Sequence, residues 1–306
     1  MTTFVQKNEK LLDHKSASIK DFYELMKPRV MSLVIFTTLV GYICGYTSSE
    51  NVLNPYLSII GIFAIALGAG SAGVLNQWYD RDIDSKMERT KNRPIPTGKI
   101  EPTDAFAFGL LGSILSIIII GLSINWFAGF FLCFTIIFYA FFYTIVLKRY
   151  TDQNIVIGGA SGAFPPMIGY VCAVGNLTLE AFILFGIIFL WTPPHFWALA
   201  LKTKTEYRLA NVPMLPNTRG DKVTKKQILL YAILVVLFST ILFFLDYNSI
   251  LYLIFSLLLG MKFIYECIKL LRFDNYDERK VFNFSIIYLF LIYLLISVDK
   301  ILISVI

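Results

Sequence analysis

Long apolar segments, each close to the length that spans a bilayer, dominate this sequence of 306 residues. A helix needs about 20 apolar residues to cross the hydrocarbon core, and the segments here run to roughly 18–25. Charged residues make up only 16% of the chain and the mean hydropathy is +0.67, whereas a soluble domain carries about 25% charged residues. Nine candidate spans follow, near 30–46, 55–79, 104–124, 127–147, 155–174, 179–201, 228–245, 249–270 and 281–305.

The segments are expected to be helical, because backbone amides in lipid must be satisfied internally and no ten-residue alternation of a membrane β-barrel is present. We therefore predict an all-α membrane protein, a bundle of about nine transmembrane helices. Residues 1–29 are predicted to be a polar cytoplasmic segment and residues 30–306 a single transmembrane domain. The polar segment has neither a secretory signal nor the acid-poor composition of a transit peptide, which favours a bacterial plasma (inner) membrane.

The basic residues alternate from one connection to the next, which predicts orientation. Six lie in the N-terminal segment before the first span, six follow the second span, and Lys148 and Arg149 follow the fourth. The connections near 47–54, 125–126, 175–178 and 246–248 contain none. Lysine and arginine mark cytoplasmic loops, so the N-terminus is predicted inside and the C-terminus outside. The net charge of +6 then reflects topology and attraction to the anionic lipid bilayer, and no nucleic-acid partner is expected.

Three polar residues at the end of the second span predict a metal site. Asn76, Asp80 and Asp84 are four residues apart and share one face if the helix continues. Carboxylates this close repel unless a cation lies between them, and Mg²⁺ suits one or two carboxylates plus water and phosphate. Asp82 points away from this face and is the weaker candidate. The alternative is a helix end that frays into solvent.

A basic segment follows the acidic face directly. Arg89, Lys91 and Arg93 lie in a stretch rich in proline and glycine that an ordinary helix would not tolerate. Arginine and lysine bind phosphate oxygens, so the segment is predicted to bind an anionic substrate beside the carboxylates. Positive charge that only fixes topology would explain the number of these residues but not their position.

The second polar loop follows the sixth span. Paired prolines at 165–166 and 193–194 interrupt two apolar segments, which is tolerated where the backbone lines a cavity. They predict a central apolar cavity between two cytoplasmic catalytic loops. His195 is read either as a hydrogen-bonded bundle residue or as a contact to an acceptor, including iron ligation if the acceptor is a haem. Lys262 and Glu266 could pair across one helical turn, and the four cysteines are read as small core residues.

These motifs resemble the UbiA superfamily of intramembrane prenyltransferases. Asn76 to Asp84 match its N-x-x-x-D-x-x-x-D motif and Arg89 to Pro96 match the R-T-x-x-R-P-I-P continuation. The stretches W-T-P-P-H-F-W-A-L-A-L, from Trp191, and P-M-L-P, from Pro213, are similar to the haem-modifying branch. Many members carry a second D-x-x-x-D in the later loop; here the corresponding positions are Lys202 and Glu206, so the number of Mg²⁺ ions is open.

The resemblance implies transfer of a farnesyl group from farnesyl diphosphate to the 2-vinyl group of haem b, giving haem O. It implies that Asp80, Asp84 and Glu206 hold Mg²⁺ with help from Asn76. Positions implied to bind the substrates are Arg89, Lys91, Arg93, Lys202, His195, Trp191 and Tyr143. A haem A synthase is the candidate protein partner. An aromatic or quinone-precursor acceptor, or a secondary transporter with kinked helices, are the alternatives.

Overall fold

The computed structural model describes residues 17–49 and 54–305 of the chain. Within these residues, nine helices are long and apolar enough to cross a membrane. They are α1 (Pro28–Thr47), α2 (Pro55–Tyr79), α3 (Pro102–Ser123), α4 (Trp126–Tyr150), α5 (Asn154–Val174), α6 (Leu179–Lys202), α7 (Asp221–Phe244), α8 (Ile250–Arg272) and α9 (Glu278–Val305). The prediction of an all-helical, multi-pass membrane protein is therefore confirmed.

Several helices are interrupted or accompanied by shorter ones. A π-helical segment, Phe138–Leu147, forms the second half of α4. Helix α5 breaks at Gly159 into Asn154–Gly158 and Ala160–Val174, and α7 breaks at Thr240 into Asp221–Ser239 and Ile241–Phe244. The short helices outside the spans are Ile19–Leu25, Arg81–Asp84, Lys204–Leu209 and Leu215–Thr218.

Helix ends follow from local chemistry. Proline occupies the first turn of α1, α2 and α3, where its missing N–H costs nothing. Asn54, Asn125 and Thr178 cap α2, α4 and α6 by accepting hydrogen bonds from backbone N–H groups. Helix α7 begins at Asp221, seven residues before the predicted boundary of 228 (228 − 221), because Gly220, at φ 81°, turns the chain there. The first turns of α7 are polar, so a prediction based on apolar segments does not include them.

Helix α1 packs on α2, α5 and α9. The approach of α1 to α5 is very close. A Cβ on Gly41 would lie 2.0 Å from the carbonyl oxygen of Pro166, and one on Gly169 would lie 2.4 Å from that of Thr38. Only glycine fits at such a crossing, as small residues commonly do between membrane helices. The crossing fixes α5, one of the two proline-kinked helices, against the first span.

The end of the bundle that carries Asp80 and Asp84, called the carboxylate end below, is covered by polar-loop segments with a small core of their own. That core contains Leu25, Val74, Ile95, Ile100 and Ala105. Gln77 of α2 donates a hydrogen bond to the carbonyl oxygen of Leu25, which ties the short N-terminal helix to the second span. The short N-terminal helix and the proline-rich loop therefore pack against the C-terminal end of α2 and fix its position.

The remaining structural predictions can be placed. Lys262 and Glu266 do form an ion pair, which Tyr276 joins. All four cysteines are free and three are buried. The first sixteen residues of the predicted polar segment lie outside the described residues, and the two-part domain division, the orientation and the central cavity stay predictions.

Candidate functional site

Asn76, Asp80 and Asp84 form a buried polar ladder at the carboxylate end. Helix α2 ends at Tyr79, but the amide of Asp80 still bonds the carbonyl of Asn76 at 2.9 Å, and that of Asp84 bonds the carbonyl of Asp80 at 2.8 Å. The i,i+4 spacing therefore persists through the break, and the three side chains share one face. Asn76 is 5%, Asp80 0% and Asp84 3% exposed. Such burial argues against a frayed helix end.

Cations from distant segments neutralise both carboxylates. Lys148 of α4 pairs with Asp80, and Arg149 lies 3.5 Å from the same carboxylate. Arg93 pairs with Asp84 at 2.6 Å. Buried charges demand such partners. An anionic ligand that enters this end therefore meets carboxylates and cations already interleaved.

Asp82 lies outside the ladder, as its angular position predicts. Its side chain is 56% exposed and forms a two-pronged contact with Arg149 at 2.8 and 2.9 Å. Hydrogen bonding to that guanidinium lowers the pKa of Asp82 below its ordinary value. Arg149 therefore lies between two carboxylates. Asp82 binds it from the solvent-exposed side, and the buried Asp80 lies on its other side.

Lys27 reaches into the ladder from the residue that precedes α1. Its Nζ donates to Asn76 Oδ1 at 2.8 Å and to the hydroxyl of Tyr139 at 3.3 Å. Its backbone is left-handed, at φ 56°, a strained conformation for a residue other than glycine. Burial, with repulsion from Arg93 as a second cause, lowers the pKa of Lys27 to about 7.

Aromatic side chains of α4 form one wall of the site. Tyr139 and Tyr143 stack with ring centroids 5.6 Å apart and planes 8° from parallel. A Cβ on Gly158 would lie 2.1 Å from the Tyr143 ring, so that glycine lets α5 approach the wall. Asn76 donates to Thr144 Oγ1 at 3.0 Å and to Asp80 Oδ2 at 2.8 Å, which joins the wall to the ladder.

The donor set fits Mg²⁺ better than a transition metal. Asp80 Oδ1 and Glu206 Oε2 are both buried carboxylate oxygens without a hydrogen-bond partner. Among the described residues, no three histidine, cysteine, aspartate or glutamate side chains lie close enough together to hold a metal. Mg²⁺ commonly takes one or two carboxylates and fills its remaining positions with water and substrate phosphate, which matches a pair such as Asp80 and Asp84. Glu206 as a further ligand stays a prediction.

The other predicted phosphate-binding residues lie at the surface. Arg89 and Lys202 are exposed, and Lys91 is held by Glu88 at 2.7 Å. Glu206 lies half-buried in the short helix after α6. The structure thus brings Arg93 into the ladder, and leaves Arg89, Lys91 and Lys202 at the surface outside it.

His195 and Trp191 are attached to the last span. Trp191 Nε1 donates to the carbonyl of Ser285 at 2.7 Å, and His195 Nδ1 lies 2.7 Å from Ser285 Oγ. That hydroxyl also lies 2.6 Å from the carbonyl of Phe282, to which it donates. Ser285 therefore accepts from His195, which places the imidazole proton on Nδ1 and the lone pair on Nε2.

Sequence reasoning missed four members of the site, namely Lys27, Thr144, Lys148 and Arg149. The three cations were counted only as topology signals. Lys148 lies 68 residues beyond Asp80 in the chain, and no spacing rule joins them. Lys27 alone offered a local signal, since it directly precedes Pro28 at the mouth of the first span.

Comparison with known proteins finds similarity over most of the chain. The model of the UbiA prenyltransferase family matches residues 34–294. A protoheme IX farnesyltransferase from Bartonella tribocorum is 54% identical over 278 residues, 89% of this chain and 88% of that protein.

Solved structures show the same fold. A structure of digeranylgeranylglyceryl phosphate synthase has a TM-score of 0.77 at 22% identity and covers 92% of this chain and 98% of that one. A UbiA homologue from Archaeoglobus fulgidus bound to GPP and Mg²⁺ has a TM-score of 0.62 at 13% identity, covering 94% and 100%. With the family model and the Bartonella relative spanning most of its length, the chain belongs to the UbiA prenyltransferase family.

Proposed function

We propose that the protein transfers a farnesyl group from farnesyl diphosphate to the 2-vinyl group of haem b, producing haem O. The acceptor and donor are suggested by the protoheme IX farnesyltransferases that it resembles at about half of all positions. The single observation that carries the chemistry is the buried carboxylate ladder interleaved with Lys27, Arg93, Lys148 and Arg149. A transporter is disfavoured because these charges cluster at one end of the bundle.

The ladder is proposed to hold Mg²⁺ through Asp80 and Asp84, with Asn76 assisting. Glu206, which does not lie close enough to both carboxylates in this structure, is proposed to move towards them as a third ligand when the metal binds. When bound, Mg²⁺ would neutralise charge on the departing diphosphate. Lys148 and Arg93 now contact the carboxylates, and both can turn to diphosphate oxygens when the carboxylates gain another cation. Arg89 and Lys91 bring further positive charge from the surface. Electrostatic stabilisation of the leaving group is then the main catalytic contribution.

The aromatic wall is proposed to protect the farnesyl cation. As the C–O bond breaks, its electron pair leaves with the diphosphate, and the remaining allylic cation needs a dry, electron-rich surface. Tyr139 and Tyr143 present stacked rings beside the ladder, and Trp191 of α6 is proposed as a further aromatic contact. The vinyl carbon then bonds to the farnesyl carbon. Water adds to the cation left on the acceptor and loses a proton.

The membrane is proposed to be the bacterial inner membrane, with the carboxylate end facing the cytoplasm, and a haem A synthase is the proposed partner that consumes the product. An alkaline phosphatase fusion at the C-terminus should be active, because that end is predicted outside. An inactive fusion there, with an active one in the 202–220 loop, would reverse the orientation.

The function is tested in membranes from cells that express the chain, supplied with haem b, farnesyl diphosphate and Mg²⁺. Mass spectrometry should detect a haem heavier by one farnesyl group plus water, and EDTA should abolish it. Folded protein that yields no such product would exclude haem as the acceptor. Aromatic and quinone-precursor acceptors would then be tested with the same donor.

A further inference from the structure

A cavity outside the carboxylate ladder opens between α6 and α9. Its volume is about 220 Å³, and its lining residues are Ala198, Leu199 and Lys202 of α6 with Arg279, Phe282 and Asn283 of α9. Both helix segments lie at the end of the bundle that also carries the ladder, since Lys202 ends α6 and Arg279 begins α9. The cavity is too small for a macrocycle and large enough for the side chains along one edge of such a ligand.

The polar lining of the cavity consists of two cations and one side-chain amide, Lys202, Arg279 and Asn283. Lys202 and Arg279 face the cavity from different helices, and no carboxylate lines it. Within the described residues, neither side chain forms an ion pair or a hydrogen bond. Two convergent, unpaired cations with an amide beside them match a carboxylate or phosphate.

The neighbouring groove between α8 and α9 differs in this respect. It also contains lysines, among them Lys280, but Glu266 lines it and already pairs with Lys262, and the Tyr276 hydroxyl donates to the same carboxylate. Its remaining lysines lie over tyrosine rings, at 4.2 Å for Lys269 and 5.0 Å for Lys280. The cavity between α6 and α9 therefore has the more complete set of unused donors.

An aromatic stack leads from this cavity into the bundle. Phe282, which lines the cavity, stacks on His195 at 4.5 Å, and His195 stacks on Trp191 at 4.3 Å. The interplanar angles are 22° and 18°, so three flat groups lie nearly parallel. A ligand with a flat apolar ring and an anionic edge would find both features side by side.

We infer that the cavity between α6 and α9 binds the propionate carboxylates of the haem acceptor through Lys202, Arg279 and Asn283. The inference rests on the proposed function, since it takes haem as the acceptor. It moves Lys202 from the diphosphate to the acceptor. Arg279 becomes a specificity residue, because an acceptor without carboxylates gains nothing from it. The carboxylates anchor one edge of the porphyrin while the vinyl edge is presented elsewhere.

The test compares haem b with its dimethyl ester, in which both carboxylate charges are removed. The proteins compared are wild type, Arg279→Gln, Lys202→Gln and the double variant. For each, steady-state kinetics give the KM of each acceptor and of farnesyl diphosphate. Absorbance titration without farnesyl diphosphate gives the affinity for each acceptor. Lys280→Gln is the matched control, since it removes an equal charge one residue away from Arg279. Thermal unfolding in detergent verifies that each variant is folded.

Wild type and Lys280→Gln should bind haem b about 10–100-fold more tightly than the ester, the value of one hydrogen bond to a charged group. In the double variant that ratio should fall towards one while the farnesyl diphosphate KM stays unchanged. An undiminished ratio in the double variant would overturn the inference. A rise in the KM of farnesyl diphosphate alone would also overturn it, because Lys202 and Arg279 would then bind the diphosphate. The same holds if the variants lose only the thermal stabilisation that anionic-lipid vesicles give to wild type, because the cavity would then bind a phospholipid headgroup. Wild type that neither binds nor converts haem b would instead defeat the proposed function.

Discussion

Asn76 joins three separate segments through the two ends of one side chain. Its carbonyl oxygen accepts from Lys27, before the first span, and its amide donates to Asp80 and to Thr144 of α4. The direction of each bond follows from the donors available, because an ammonium can only donate and a carboxylate can only accept. An aspartate at this position could not supply those two donors.

Lys27 is expected to be essential because of its amine rather than its backbone. Lys27→Gly keeps the left-handed conformation and even relieves it, whereas Lys27→Gln keeps a polar side chain without charge. Both variants should lower kcat/KM for farnesyl diphosphate by about 10–100-fold, since a hydrogen bond to a charged group contributes about 1.5–3 kcal/mol. Steady-state kinetics in membranes measure this, with exposed Lys20→Gln as the control. Unchanged kinetics in Lys27→Gly would show that only the backbone matters.

The acids of the site could be predicted from the sequence, whereas most of its cations could not. Asn76, Asp80 and Asp84 lie within one helical repeat, so local geometry places them on one face. Lys148 and Arg149 reach the same carboxylates only because α4 packs beside α2. Such contacts depend on tertiary packing, which charge counting along the chain does not contain.

At the scale of single helices, hydropathy located all nine spans but not the internal geometry of α4. The π-helical segment Phe138–Leu147 is as apolar as the α-helical turns before it, so periodicity gives no warning. The segment contacts the site, because the hydroxyl of Thr144 donates to the carbonyl of Tyr139, five residues earlier, at 2.7 Å and accepts from Asn76 at 3.0 Å. Widened turns of this kind are frequent at functional sites.

The contact between α1 and α5 should depend on glycine. Gly41→Ala would place a Cβ against the backbone of Pro166, and overpacking of this kind costs about 1–3 kcal/mol. The melting temperature in detergent should therefore fall. Gly162→Ala is the matched control on α5, since a Cβ there meets nothing within 4 Å, and it should melt at or slightly above the wild-type temperature. Equal melting of both variants would contradict the close packing.

For the molecule as a whole, a buried ion pair at the end opposite the ladder links the first, sixth and last spans. Lys300 of α9 pairs with Glu180 of α6 at 2.7 Å, and their side chains are only 8% and 0% exposed. Ser48, which follows α1, lies 3.0 Å from the lysine and 2.7 Å from the glutamate. The first and last spans are thereby fixed to α6.

Removing one charge of the Lys300–Glu180 pair should destabilise the fold more than removing both charges. Lys300→Met leaves a buried carboxylate without its partner, a change that costs about 3–5 kcal/mol, whereas replacing both charges is often close to neutral. We expect Lys300→Met to lower the melting temperature strongly and the added Glu180→Gln to restore part of the loss. A double variant that melts below the single one would show that the pair itself stabilises the fold.

The most direct measurement is the rate of haem O formation against Mg²⁺ concentration for wild type, Asp80→Asn and Asp82→Asn. The two variants remove equal charges two residues apart, one inside the ladder and one outside it. The rate in Asp80→Asn should fall by about 100–1,000-fold, the effect of losing one electrostatic contact to a transition state, with a higher Mg²⁺ requirement. Asp82→Asn should stay within a few-fold of wild type. Equal losses in both variants, or full activity in Asp80→Asn, would contradict a Mg²⁺ site built on the buried ladder.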